Sequence, residues 1–145
     1  MKKLFFLLAL TIATVSANAQ VSKLLGKWNT IDDKTGDQMV CVNVTEKDGT
    51  YDAVIVDIYG KDGNGNYYIM KSPYPKEWEG VLGSKLFIDM KADGDVLRGK
   101  VYDPESKKTY YAKVSYDAKN DEIILRGSLD KRGILGRSQK WIRKK

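Results

Sequence analysis

An all-β fold, a small antiparallel barrel or curled sandwich of about eight to nine strands, is what the sequence predicts for residues 20–145. Three observations carry this. Short runs of alternating or β-branched residues recur along the chain, clusters of turn-forming residues separate them, and no segment has the periodicity of a long amphipathic helix.

The strands are predicted at Gly26–Ile31, Gln38–Thr45, Tyr51–Tyr59, Tyr67–Met70, Lys85–Lys91, Val96–Asp103, Thr109–Tyr116, Glu122–Gly127 and Arg137–Ile142. Lys47-Asp48-Gly49, Ala92-Asp93-Gly94-Asp95, Pro104-Glu105-Ser106-Lys107 and Ala118-Lys119-Asn120-Asp121 are rich in residues that adopt tight-turn dihedrals, so consecutive strands should form hairpins. A meander of this length loses its exposed edges most simply by closing on itself. Side chains alternate across a strand, which places Val40, Val42 and Val44 on one inward face. By the same rule Leu86, Ile88 and Met90 share a face, as do Tyr110, Ala112, Val114 and Tyr116, and Ile123 and Leu125. Tyr51–Tyr59 is apolar on both faces and is expected to be covered on both sides. Gly60–Gly80 breaks the rhythm with glycines, Asn64, Asn66, Pro73 and Pro75, and its Tyr67, Tyr68, Tyr74 and Trp78 either cap a barrel mouth, form a binding surface or cover the core.

The first nineteen residues have the form of a cleavable export signal. Lys2 and Lys3 precede the apolar stretch Leu4–Val15, and Ala17-Asn18-Ala19 supplies the small residues a signal peptidase reads. Processing after Ala19 would leave a single domain of 126 residues, beginning at Gln20, in the periplasm or secreted. The stretch is shorter than the roughly 20 residues needed to cross a bilayer, no second one follows, and no cysteine stands after it to take a lipid, so no membrane span is expected after processing. Cys41 is the only cysteine. An internal disulfide is therefore impossible, and the thiol reads as a small buried hydrophobe.

The net charge of +6 is concentrated at one end: residues 121–145 hold eight Lys/Arg against three Asp/Glu. Such a basic terminus suits either an anionic surface or a solvated edge strand that uses lysine against aggregation. The export signal and the lack of a recognised binding motif argue against nucleic acid. With no histidine in the chain, Ser-His-Asp and Cys-His catalysis and the usual catalytic zinc sites are excluded. Asp62-Gly63-Asn64-Gly65-Asn66 opens like a calcium loop, but Tyr67 stands where the sharp turn needs glycine and Pro73 where a bidentate glutamate is needed. Asp32-Asp33 and the Glu77/Glu79 pair read as acidic turn residues. No catalytic residue, metal site or cofactor is predicted.

Leu24-Leu25-Gly26-Lys27-Trp28 is similar to the Gly-x-Trp opening of lipocalins. There the tryptophan plugs the closed end of the barrel and a late-strand arginine packs over it; the resemblance implies Trp28 as plug, with Arg143 or Arg137 above it. More of the chain resembles the exported bacterial family catalogued as domain of unknown function 2147. The matching motifs, in order, are Gly26-Lys27-Trp28, Gly99-Lys100-Val101-Tyr102-Asp103-Pro104 with Lys108-Thr109-Tyr110, Arg126-Gly127-Ser128, and Gly136-Arg137-Ser138-Gln139-Lys140-Trp141. The resemblance implies a lipocalin-like fold and no established activity. The sequence departs from the family at Leu97, where many members carry tryptophan, and at Lys107, where glycine is usual. It also lacks the cysteine pair of some members, which removes any redox role drawn from them.

Within these motifs Arg126, Arg137, Tyr102 and Tyr110 are the candidate ligand-binding set. An arginine directed into a small barrel needs a carboxylate, a carbonyl or a ligand anion as partner, so the two arginines are either struts or site residues. The expected function is binding of a small apolar or amphipathic molecule in the cell envelope, without catalysis. The alternative is an envelope interaction module with a filled barrel, meeting its partner through the Gly60–Gly80 loop or the basic C-terminal strand.

Overall fold

The structure, a computed structural model, describes residues 19–145, and the export signal expected at the N-terminus lies outside the described residues but for Ala19. Nine strands follow: β1 (Gly26–Ile31), β2 (Gln38–Lys47), β3 (Thr50–Lys61), β4 (Tyr67–Ile69), β5 (Phe87–Asp93), β6 (Val96–Asp103), β7 (Lys108–Asp117), β8 (Glu122–Ser128) and β9 (Gly136–Arg143). All pairings between them are antiparallel, and eight strands close a ring in the order β1, β2, β3, β5, β6, β7, β8, β9. β4 is the extra strand, hydrogen-bonded to the far end of β3. β9 is thus not the edge strand its lysines suggested. It pairs with β8 on one side and returns to β1 on the other, through Trp28 with Arg143, Asn29 with Ile142 and Thr30 with Trp141.

Two bulges revise the expected inward faces. In β3 the register against β2 slips between Asp57 and Ile55, leaving Val56 without a cross-strand partner. One extra residue reverses the alternation. Ala53, Ile55 and Ile58 therefore all point into the core, while Val54 and Val56 are only half-buried. The strand is not covered on both sides; it changes parity. In β5 the register slips between Ile88 and Lys91, where Asp89 has a positive φ of 50°. Phe87 and Met90 are buried and Ile88, placed inside by simple alternation, is 36% exposed.

The bulge in β5 has a reason on the neighbouring strand. A side chain at Gly99 of β6 would set a Cβ 2.7 Å from the Asp89 carbonyl oxygen and 2.8 Å from the Met90 Cα. Only glycine lets the bulged backbone come this close. Lys107, in the β6–β7 turn, has a φ of 58°. Its left-handed conformation is the physical counterpart of the glycine usual there in the family it resembles.

Cross-barrel packing fills one half of the interior. Val42, Val44, Ala53, Met90, Leu97, Val114 and Ile123 are buried with Trp28 and Trp141, and Phe87 stacks on Trp141 with ring centroids 5.9 Å apart. The turns β2–β3, β5–β6 and β7–β8 lie at this packed end, and the β1–β2, β4–β5, β6–β7 and β8–β9 connections surround the other.

Gly99→Ala should destabilise the protein by about 1–3 kcal/mol, the usual cost of forcing an extra methyl into packed structure. Gly63→Ala, with nothing within 4 Å of the new methyl, is the control and should leave stability nearly unchanged. Lys107→Gly should raise stability by about 0.5–1 kcal/mol as the left-handed strain is relieved. Denaturant titration of the three variants measures all of this.

Candidate functional site: a closed floor and an open mouth

The closed end is built around Trp28. The chain before β1 makes a helical turn, with the Leu24 amide bonding the Val21 carbonyl, and buries Val21 and Leu24 against the barrel. The Trp28 indole is 0% exposed and donates its Nε1–H to the Leu24 carbonyl at 2.9 Å. The Arg143 guanidinium lies 4.2 Å from the centroid of the Trp28 ring. Its Nε donates to both Asp121 oxygens, at 3.1 and 2.9 Å, and its terminal nitrogens reach the Leu25 and Lys23 carbonyls. Tyr116 donates its hydroxyl to the same Asp121 at 2.7 Å. Of the two arginines considered for the place over the indole, the geometry selects Arg143. Gly26, with a φ of 111°, passes close beneath it.

Titration follows from these contacts. The Arg143 hydrogen bond, and secondarily that of Tyr116, holds the Asp121 carboxyl below its usual 3.8. Tyr116 is raised above 10.0 chiefly by its bond to Asp121, and Arg143 is raised by the same carboxylate.

At the other end the barrel opens into a cavity of about 1190 Å³. Its deeper wall is apolar, with Val40, Ile55, Leu86, Val101, Leu125 and Trp141 from six strands or their approaches. Trp78, in the single 3-10 turn Lys76–Trp78 of the β4–β5 connection, joins this wall with Val81. Thr30, buried across from Trp141, adds a hydroxyl to this wall, and the more exposed Tyr110, Gln139 and Arg137 bring further polar groups to the lining. Gln139 Oε1 accepts the Trp141 indole N–H at 2.8 Å, and the Thr30 hydroxyl accepts the Val40 amide at 3.3 Å. The interior is therefore packed below and open above, which departs from the filled barrel of the alternative reading.

Three of the four proposed site residues line this mouth. Arg137 stands on the same face of β9 as Gln139 and Trp141, opposite Gly127, and its guanidinium pairs with Asp33 of the β1–β2 loop. Tyr110 lies across from Val101, packs on the core and shares a hydrogen bond with Ser106 at 3.3 Å. Tyr102 borders the mouth where β6 ends, beside Asp103 and Pro104. Arg126 does not join them. It lies between the inward Leu125 and Gly127, so alternation turns it outward. There it donates to the Gly133 and Ile134 carbonyls, at 2.7 and 3.3 Å, and to the Ser138 hydroxyl. It fastens the β8–β9 loop. Asp33, Gln139 and Trp141 were missed from sequence; for Gln139 and Trp141 the signal was there, since they alternate with Arg137 along one strand.

The other features singled out in the sequence resolve as follows. The Asp62 carboxylate accepts the amides of Asn64 and Asn66, each at 2.9 Å, and so closes the hairpin between β3 and β4. The Tyr67 hydroxyl donates to Asp37 and accepts the Gln38 amide, and Tyr68 lies over Gly60. Tyr67 and Tyr68 are exposed, while Tyr74 and Trp78 pack against the core, so the aromatic loop divides between surface and cover. The basic terminus is partly tied down by three ion pairs: Arg137 with Asp33, Arg143 with Asp121, and Lys144 with Asp57 at 3.1 Å. Cys41 is wholly buried on the outward side of β2, and burial pushes its thiol up from the usual value. No helix among the described residues is long and apolar enough to cross a membrane.

Comparison with known proteins places this geometry. A family model described as "uncharacterized protein conserved in bacteria (DUF2147)" matches residues 26–143. Among solved structures the chain is similar to protein HP1028 of the human pathogen Helicobacter pylori, described as belonging to the lipocalin family. The TM-score is 0.58 at 23% sequence identity, over 84% of this chain and 83% of that one. No curated protein matches the sequence.

Arg143→Ala should cost about 1–3 kcal/mol of stability, since it removes charge-assisted hydrogen bonds and uncovers the indole together. The Asp121 carboxyl is depressed in the folded state, so its contribution is complete above pH 3.8 and is lost as pH falls through the lower folded value. Thermal melts across this acid range should show a shallower decline for Asp121→Asn than for the native chain, from a lower starting point. Tyr116 has the opposite sign: its contribution holds below pH 10.0 and disappears as pH rises through the higher folded value.

Proposed function

On the premise that this chain belongs to the bacterial DUF2147 family and folds as a lipocalin-like barrel, we propose that it binds a small amphipathic molecule in the cell envelope, without catalysis. The observation that carries this is the cavity of about 1190 Å³, whose buried lining is largely apolar and whose more exposed lining includes Arg137, Gln139 and Tyr110. Concave sites that combine apolar walls with a few convergent polar groups are where proteins take small ligands. An apolar tail fits the wall of Val40, Ile55, Leu86, Val101 and Leu125 above the Trp141 floor. A polar or anionic head meets Arg137, with Tyr110 and Tyr102 beside it. The placement outside the cytoplasm rests on the export signal read from residues 1–19.

Asp33 sets the terms at the mouth. Its carboxylate already occupies Arg137, so an anionic head must displace or share that contact. The side chains of both residues are substantially solvated. The guanidinium is accordingly worth less than it would be in a dry pocket.

A second reading draws on a different observation. β4 ends the sheet order with an unpaired edge, and Tyr67, Tyr68 and Ile69 are exposed along it. Such an edge suits addition of a partner's strand. Tyr67, Tyr68 and Ile69 are outside the cavity lining, so a strand added there would not compete with a ligand.

Fluorescent fatty-acid probes test the first reading. The native protein should bind them in the cavity, and Arg137→Ala should weaken anionic probes by about three- to tenfold, while uncharged alcohol analogues bind as before. Asp33→Asn should tighten the anionic probes, because a competitor for the guanidinium is removed. Arg126→Ala, outside the cavity, should leave affinity unchanged in whatever fraction folds. Absence of any probe binding by the native protein would transfer the case to β4.

A further inference from the structure

The β8–β9 loop carries the three most exposed large hydrophobic side chains among the described residues: Leu129 at 71%, Ile134 at 69% and Leu135 at 66%. A slack loop would fold such residues inward. This one is fastened from beneath. The Asp130 carboxylate accepts the Leu135 amide at 2.7 Å and the Ile134 amide at 3.0 Å, and the Ser128 hydroxyl donates to the Asp130 carbonyl at 2.7 Å. Leu129 donates its amide to the Leu135 carbonyl, and Arg126 grips the Gly133 and Ile134 carbonyls from outside the barrel. The framework holds the aliphatic side chains in water.

Charge on the same loop is one-sided where it faces out. Asp130, its only acid, turns its oxygens to backbone amides of the loop. Lys131 and Arg132 are exposed and make no ion pair among the described residues. The tip therefore presents three aliphatic side chains flanked by two free cations.

We propose that this loop docks the protein onto a bilayer containing anionic lipid, with Leu129, Ile134 and Leu135 entering the headgroup–acyl boundary and Lys131 and Arg132 meeting the headgroups. Apolar side chains beside basic ones bind such interfaces by area and by charge together. Charge complementarity favours lipid over a second copy of the chain, because a two-fold contact through this patch would bring Lys131 and Arg132 against their own equivalents. Leu129, Ile134 and Leu135 also border the cavity mouth. Docking would thus turn the mouth toward the lipid, a clause that rests on the ligand-binding reading; the docking itself does not.

Co-sedimentation of the folded protein beginning at Gln20 tests this, with vesicles of phosphatidylcholine alone and of phosphatidylcholine mixed with phosphatidylglycerol. The native protein should bind the mixed vesicles and hardly the neutral ones, and added salt should weaken it. Changing Lys131→Gln and Arg132→Gln together should weaken binding by about fivefold per cation. The triple change Leu129→Ser, Ile134→Ser and Leu135→Ser should weaken it at least as much, and the Lys131 and Arg132 double change, at residues outside the cavity lining, should leave cavity probe binding intact, which separates docking from ligand uptake. Ile134→Trp should blue-shift its emission on mixed vesicles. Failure of the native protein to bind mixed vesicles, unchanged binding by the triple variant, or an unshifted Ile134→Trp emission would each overturn the proposal. So would a native dimer that the triple change dissolves.

Discussion

The contact of Arg143 with Trp28 joins the last strand to the first. An indole 0% exposed at a barrel end leaves its face in need of cover, and a cation supplies it with electrostatic attraction to the ring. The guanidinium has more donors than the ring can use, and those go to Asp121 on the β7–β8 turn and to the carbonyls before β1. One side chain thereby ties together the chain entering the barrel, the hairpin below it and the strand that completes the ring. With this end shut, the interior can stay open at the other, because the packed half holds the strands in place without help from the mouth.

Division of the barrel into a packed half and an open half follows from where large side chains fall. Trp28, Met90, Leu97 and Val114 crowd the lower layers, and Phe87 stacks on Trp141 at their upper limit. Above Trp141 the β9 face continues with Gln139 and Arg137, and β8 offers only Gly127 opposite Arg137. Polar and small residues cannot fill the widening ring, so a cavity results. The same alternation that buries Trp141 brings Arg137 to the rim.

Most of this fold was legible because strand identity is a local property. The alternation of Val40, Val42 and Val44, and the turn residues after them, mark their strand without reference to any partner. What escaped was decided by partners. The β5 bulge depends on Gly99 in the next strand, the slip at Val56 on the β2 register, and the interior position of β9 on a pairing with β1 more than one hundred residues away. Arg126-Gly127 and Gly136-Arg137 look equivalent as words in the sequence. Their roles part only when parity is counted from the buried Leu125 and Trp141, which sends one arginine outward to the loop and the other to the mouth.

Cys41 lies sealed in the outer wall of the barrel, where β2 pairs with β1 and β3. Its pairing neighbours are Asn29 and Asp57; Tyr59 donates its hydroxyl to Asn29, and Lys144 is bound to Asp57. Burial also disfavours the thiolate, the form that attacks disulfides and oxidants. A lone sulfur so placed distinguishes two populations of the same chain. Molecules whose barrel has closed keep it from thiol exchange, whereas unfolded chains expose it to capture by another thiol. Closure of the ring is thus also a chemical quality mark, written by burial alone.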